Sequence, residues 1–246
     1  MIQLALDSST EVCSAALIRG GRVIAERCNP TGSNHAALLP VYVQELQDYL
    51  SSQACGERAP AAFDAVVLSE GPGSYTGLRI GASLVKGLCY GADIPLIAVP
   101  TLAVIAYAAI HAASPDNATL FCPMIDARRM EVYCAVYDRD LNLVQPLAAK
   151  VIDQQSFADL LARHDVCFCG NGADKCKAVI THPNAHWIDG IVPTASAAGR
   201  LACEYSHRND LLRTIAGKQV AYFEPNYLKQ FVAAPSHVKG LTPSAN

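Results

Sequence analysis

Short apolar runs alternate with longer amphipathic segments through the first hundred residues, a pattern typical of strands separated by helices. The pattern predicts helices over 34–50 and 77–91 and strands over 2–8, 12–19, 22–28, 65–68 and 95–99. A hairpin turn at Gly20-Gly21 separates the second and third strands. The order βββαβαβ indicates an α/β lobe built on a mixed sheet.

The second half repeats this order in a weaker form, with helices near 156–163 and 195–206 and strands over 120–126, 131–137 and 166–169. Each half opens with a strand that ends in an acid, Asp7 or Asp126. We therefore expect an α/β protein with the two-lobed actin-like (ASKHA) architecture of sugar kinases and Hsp70, carrying mixed five-stranded sheets. The expected division is an N-terminal lobe over 1–103, which part of 205–231 joins, a second lobe over 104–204, and a mobile tail over 232–246.

Composition limits the functional classes. A chain of 246 residues that is 51% hydrophobic and 17% charged can bury a large core. Its formal net charge of -3 gives no basic excess, so any contact with nucleic acid is expected mainly through a partner. Ten cysteines and no leader-like start predict reduced thiols and a cytoplasmic protein. Pro95 and Pro100 interrupt the charge-free segment 94–114, which favours a strand and a core helix over a membrane span.

The segment 69–81, Ser-Glu-Gly-Pro-Gly-Ser-Tyr-Thr-Gly-Leu-Arg-Ile-Gly, leads from an apolar strand through a glycine-rich turn into a helix. Such a turn can bring backbone N–H groups to an anion, although the spacing is neither that of a P-loop nor that of a Rossmann site. Two interpretations stay open, a tight turn that binds nothing and a weak phosphate-type site. The site would use Asp7, Ser8, Gly71, Gly73 and Ser74.

The helix after this turn contains four glycines, each of which costs about 1 kcal/mol relative to alanine. They form two pairs with a spacing of four residues, Gly77 with Gly81 and Gly87 with Gly91. Small residues at this spacing let another backbone approach closely, from the sheet or from a neighbouring helix. This helix and the helix over 34–50 each carry two apolar stripes, whereas packing on a sheet needs one. A spare apolar face favours a protein partner, unless the second lobe covers it.

Five motifs together resemble the bacterial TsaB family, also called YeaZ. They are Leu4 to Thr10, His35 with Leu38-Leu39-Pro40, Glu70 to Gly81, Ile125 to Arg128, and Glu224 to Lys229. The resemblance implies a role in forming threonylcarbamoyladenosine at N6 of the adenosine beside the anticodon of tRNA. TsaB-like proteins act there as the non-catalytic partner of their paralogue TsaD, with the small ATPase TsaE joining. tRNA would be contacted indirectly, through the complex.

The resemblance also implies that the chain is not an enzyme. TsaD-like enzymes hold a metal through an HxxxH pair, and the matching positions here are Thr101 and Ile105. We expect no metal and no cofactor, with weak nucleotide binding left open. The competing hypothesis is an actin-like, ATP-dependent phosphotransferase that uses Asp7, Ser8 and Gly73 around a phosphate, with magnesium between Asp7 and Asp126.

The family pattern places the two glycine- and leucine-striped helices at the interface with TsaD, and the same helices would form a homodimer when TsaD is absent. A charge at Ala82 or Val85 is expected to abolish TsaD binding and leave the chain folded. The candidate interface residues are Leu38, Leu39, Tyr42, Val43, Leu46, Gly77, Leu78, Gly81, Ala82, Val85 and Cys89.

Overall fold

The structure, a computed structural model, describes residues 1–32, 34–53, 63–112 and 119–228. The tail expected over 232–246 lies outside these residues. In the described residues, the order of helices and strands in the first lobe follows the prediction closely. The structure also contains three strands that were not predicted, β8, β10 and β11, whose bounds are given below.

The first sheet contains β1 (Ile2–Asp7), β2 (Cys13–Arg19), β3 (Arg22–Asn29), β4 (Ala65–Gly71), β5 (Leu96–Pro100) and β11 (Arg213–Ile215). Its strand order is β3-β2-β1-β4-β5-β11. The central pairs β1/β4 and β4/β5 are parallel, and the remaining pairs are antiparallel. The expected count of five strands is therefore wrong for this sheet, because β11 returns from the end of the chain to extend the edge at β5.

The second sheet contains β6 (Leu120–Asp126), β7 (Glu131–Asp138), β8 (Leu143–Val151), β9 (Val166–Cys169) and β10 (Ala185–Ile188), in the order β8-β7-β6-β9-β10. Three antiparallel strands followed by two parallel ones repeat the order of the first sheet without β11. This repetition confirms the two-lobed actin-like architecture. The pattern did not predict β8 and β10, which are half-buried or exposed along most of their length.

Helices α1 (His35–Gln53) and α2 (Tyr75–Ala92) cover one face of the first sheet, α1 over β2 and β3 and α2 mainly over β4. On the other face, α3 (Thr101–His111) and α5 (Ala195–Glu204) pack between the two sheets. A single apolar cluster joins these two helices to both sheets. The expected division assigns α5 to the second lobe, yet the helix contacts β1 and β2 of the first.

The remaining short helices are α4 (Ala158–Leu161) and the 3₁₀ helices Asp174–Cys176 and Gly217–Tyr222. In the charge-free segment 94–114, the described residues contain β5 and the buried helix α3, as the two prolines indicate. In the part of the chain that the structure covers, no helix has the length and apolarity needed to cross a membrane.

Candidate functional site

The glycine-rich turn packs directly on the turn that follows β1. A Cβ added to Gly73 would overlap the carbonyl oxygen of Ser9, and one added to Gly77 would overlap the carbonyl oxygen of Ser8. The Ser74 N–H donates to Ser9 O at 2.6 Å, and Ser8 Oγ donates to the Gly77 carbonyl at 2.9 Å. Gly73 and Gly77 therefore make room for the chain's own backbone, that of the turn after β1.

The start of α2 is capped locally. Ser74 is the N-cap, and its hydroxyl accepts from the Gly77 N–H at 3.3 Å. Gly71 has a φ of 115°, a left-handed backbone conformation that glycine adopts without strain, and its N–H donates to Thr101 Oγ1 at 3.1 Å. These bonds are made within the protein, so the turn is held in shape independently of any ligand.

Asp7 is fully buried at the end of β1. Its Oδ1 accepts from the Ser9 N–H at 3.0 Å and from Ser9 Oγ at 2.9 Å. Its Oδ2 and the neighbouring Ser69 Oγ are buried and find no hydrogen-bond partner in the covered part of the chain. Burial raises the pKa of the Asp7 carboxyl, because a carboxylate loses its hydration there, although the two hydrogen bonds from Ser9 act in the opposite direction.

Replacing Asp7 by asparagine should stabilise the protein at pH 8. The pKa of Asp7 is raised above 3.8 in the folded protein, so the protonated carboxyl contributes fully to stability below pH 3.8. This contribution is lost as the pH rises through the folded-state pKa. Asparagine keeps a similar shape and cannot ionise, so the gain should shrink as pH falls towards 4. Urea unfolding of both proteins across this range measures it. If the variant instead lost stability relative to the parent between pH 4 and pH 8, the pKa of Asp7 would be lowered in the folded protein rather than raised.

A cleft of about 800 Å³ opens between the ends of the two sheets. Its first-lobe wall includes Ser9, His35 and the 73–77 turn, and its second-lobe wall includes Asp126, Arg128 and Asn171. The C-terminal segment 226–228 closes one side, held by the Asn226 N–H donating to Glu70 O at 2.7 Å. Of the predicted phosphate-type residues, Gly73 and Ser74 line this cleft, whereas Asp7 and Ser8 are buried beside it.

Lys175, in the 3₁₀ helix Asp174–Cys176, extends its side chain to the turn that follows Asp126, the second-lobe counterpart of the turn after Asp7. Its ammonium donates to the Asp126 carboxylate and to the carbonyl oxygens of Arg129 and Glu131, each carbonyl at 2.7 Å. Partial burial acts to raise the pKa of Asp126, but Lys175 and the Arg128 N–H outweigh it and hold that pKa below its usual value. The lysine thus takes the place beside Asp126 where the phosphotransferase hypothesis puts magnesium. Sequence reasoning missed it, because Lys175 lies far from Asp126 along the chain.

Thr101 and Ile105 lie one turn apart at the start of α3, and both are fully buried in the apolar cluster between the sheets. The Thr101 hydroxyl already accepts the Gly71 N–H. An isoleucine side chain has no atom that can ligate a metal.

The two helices predicted to bind a partner expose different residues from those expected. Leu39, Val43 and Leu46 of α1 are buried against the first sheet, and so are six of the α2 candidates: Gly77, Leu78, Gly81, Ala82, Val85 and Cys89. They face this chain's own core, because α1 and α2 each need their most apolar stripe to cover the sheet. Leu38 and Tyr42 are half-buried. The choice of Ala82 or Val85 as a surface position is therefore wrong, while a partner role for the helices stays a prediction.

The outer surface of the helix pair carries several apolar residues. On α2 it presents the half-buried Ile80, Leu84 and Leu88, and on α1 it presents Val41, which is 50% exposed. The second glycine pair of α2, Gly87 and Gly91, is exposed, and a Cβ at either position would meet no atom within 4 Å. We call Val41, Ile80, Leu84, Gly87, Leu88 and Gly91 the outer helix face.

Residues 31–235 match the family model described as TsaD, tRNA N6-adenosine threonylcarbamoyltransferase. Among curated proteins, the tRNA threonylcarbamoyladenosine biosynthesis protein TsaB of Bacillus subtilis is 36% identical over 187 residues, covering 73% of this chain and 75% of that protein. The chain belongs to the TsaB (YeaZ) family.

Two further comparisons agree with membership of the TsaB family. The TsaB protein of Escherichia coli is 37% identical over 139 residues, 56% of each chain, so the match spans little more than half of that relative. The crystal structure of a protein similar to peptidase YEAZ from Pseudomonas aeruginosa superposes with a TM-score of 0.74 at 28% identity, covering 93% of this chain and 99% of that one. The likeness to YeaZ thus extends over almost the entire fold.

Proposed function

We propose that this TsaB-family protein is a non-catalytic scaffold subunit that acts with a TsaD paralogue and the TsaE ATPase in forming threonylcarbamoyladenosine in tRNA. The TsaB relatives are described as biosynthesis proteins for this nucleoside, and the matching family model is that of the transferase itself. On this basis the chain is related to the transferase TsaD and contributes to the formation of the same nucleoside.

The burial of Thr101 and Ile105 carries the proposal. In TsaD-like enzymes the corresponding HxxxH pair holds the metal, whereas here a hydroxyl bonded to Gly71 and an aliphatic side chain fill the interior of α3. Supplying a metal there would need two imidazoles and space within a close-packed core. Transfer chemistry of the TsaD type therefore belongs to the partner.

The outer helix face is the surface that would meet TsaD. Helices pack at interaxial distances of 8–10 Å depending on the side chains between them, so Gly87 and Gly91 let a partner helix approach at the short end of that range. The surrounding Ile80, Leu84 and Leu88 supply apolar area for burial. In the absence of TsaD, two copies of the chain would pair through the same face, since a surface shared by paralogues is close to self-complementary.

Replacing Gly87 by glutamate tests the proposal. The position is open to solvent, and glutamate favours a helix more than glycine, so the isolated chain should fold at least as well. In the complex, the carboxylate would be buried without a partner at a cost of several kcal/mol, which lowers affinity by about 100-fold or more. Co-elution with TsaD and calorimetry measure the loss.

Ala162→Glu is the matched control, because Ala162 is exposed at the end of α4 in the second lobe and should leave binding unchanged. If the Gly87 variant bound TsaD within about twofold of the parent, the outer helix face would not be the interface.

A further inference from the structure

The flank of α2 that faces away from α1 carries a basic and aromatic stripe. Tyr75, Arg79, Lys86 and Tyr90 are spaced by four, seven and four residues, which places them on one side of a helix. They extend over about 22 Å of the helix axis. Arg79 and Tyr90 are exposed, Tyr90 to 59%, and none of the four belongs to the outer helix face.

At the amino-terminal end of the stripe, two aromatic rings and a guanidinium pack together. The ring centroids of Tyr75 and Tyr227 are 4.9 Å apart, with the ring planes at 44°. The Arg79 guanidinium carbon lies 5.5 Å from the Tyr75 centroid, and its Nη1 donates to the Tyr75 hydroxyl at 3.4 Å. Two rings and a guanidinium are thereby held in place before any ligand arrives, which lowers the ordering cost of binding.

The 3₁₀ helix Gly217–Tyr222 packs against α2 and extends the surface. It contributes the exposed Lys218 and, at its end, Tyr222, whose side chain is 84% exposed. An aromatic ring this exposed gains nothing from the core, and its π-face is available for stacking. We call Tyr75, Arg79, Lys86, Tyr90, Lys218 and Tyr222, with Tyr227, the α2 flank.

The α2 flank is positively charged, whereas the chain as a whole has a negative net charge. The net charge is -3, yet Arg79, Lys86 and Lys218 have no carboxylate within salt-bridge distance in the residues that the structure covers. The nearby Glu70 is paired with Arg213, and the exposed Glu224 lies near Tyr227. Cations that lack acidic partners, alternating with exposed rings, are typical of surfaces that bind single-stranded nucleic acid.

We propose that the α2 flank binds single-stranded RNA, with bases stacking on the exposed rings of Tyr90 and Tyr222 and phosphates lying along its three cations. The proposal rests on the proposed function for the identity of that RNA, the unpaired anticodon loop of the tRNA substrate. According to this proposal the chain contacts tRNA directly, whereas its net charge alone favours contact only through the complex.

Fluorescence anisotropy of the full chain with a labelled single-stranded RNA of about 15 nucleotides, between about 50 and 200 mM salt, tests the proposal. The single strand should bind more tightly than a duplex of equal length, whose base faces are hidden. Three phosphate contacts predict that the slope of log affinity against log salt concentration is about -2. Arg79→Gln should reduce the magnitude of this slope by about 0.7. Tyr90→Ala should weaken binding about tenfold, whereas Tyr90→Phe should retain it.

Arg163→Gln, at an exposed arginine of the second lobe, is the control for loss of a charge and should bind RNA as the parent does. Absence of RNA binding at low salt, equal or tighter binding of the duplex, or unchanged binding by the Arg79 and Tyr90 variants would each overturn the proposal. Loss of TsaD co-elution by these variants with RNA binding unchanged would also overturn it, and would make the flank a protein contact. The scaffold function is tested separately, by Gly87→Glu.

Discussion

Replacing Val85 by aspartate should unfold the protein. Val85 is fully buried on the side of α2 that faces the first sheet, in the apolar cluster that joins α1 and α2 to that sheet. An unpaired carboxylate there costs several kcal/mol, a large part of the 5–15 kcal/mol by which domains are usually stable. We expect the variant to be insoluble, or to lose its cooperative transition in urea. This expectation replaces the one drawn from the sequence, in which a charge at Val85 leaves the chain folded.

Ser83→Asp is the matched control, since Ser83 is exposed on the same helix two residues earlier. A surface substitution of this kind should change the free energy of unfolding by no more than about 0.5 kcal/mol. If the Val85 and Ser83 variants were equally stable, α2 would have to lie with its Val85 stripe outward, and the sequence-based interface would stand.

The two glycine pairs of α2 should respond to alanine with opposite signs. At Gly77 the added methyl would overlap the Ser8 carbonyl, a backbone atom that cannot move aside cheaply, so Gly77→Ala should destabilise by roughly 1–3 kcal/mol. At Gly87 the methyl meets open space, and the gain in helix propensity should stabilise by about 1 kcal/mol.

Thermal unfolding of the two variants measures this contrast, with Gly87→Ala expected to raise Tm by about 2–4 °C. Gly87→Ala should at the same time weaken TsaD binding, because the methyl keeps a partner helix further away. Equal stability of both variants would contradict the close packing of α2 on the turn after β1.

The order of elements in the first lobe was predictable, because alternating and helical periodicities differ clearly there. The orientation of α2 was not. Both of its stripes are apolar, and periodicity alone does not say which one faces the sheet. The deciding contact is that of Gly77 and Gly81 with Ser8, which is distant in sequence.

The second lobe was harder to predict for a different reason. β8 is an edge strand with Pro146 and Lys150 in its interior, and β10 has only four half-buried residues, so neither shows clear alternation. β11 has three residues and is defined by its pairing with β5, which no local pattern indicates.

The candidate site shows the same limit. The same sequence pattern of a glycine-rich turn between a strand and a helix is compatible with two structural roles. The glycines can make room for a bound anion or for the chain's own backbone. In the structure, Gly73 and Gly77 serve the second purpose, with Ser8 and Ser9 in contact. The bond between Lys175 and Asp126 likewise depends on the fold, because 49 residues separate them.

Threonylcarbamoyl transfer to unmodified tRNA, assayed with this chain alone, with TsaD and TsaE alone, and with all three together, tests the scaffold account most directly. We expect no turnover by the chain alone, full activity for the three proteins together, and loss of that activity when the chain carries Gly87→Glu. Sustained transfer, or turnover of ATP on a small substrate, by the unaccompanied chain would contradict it.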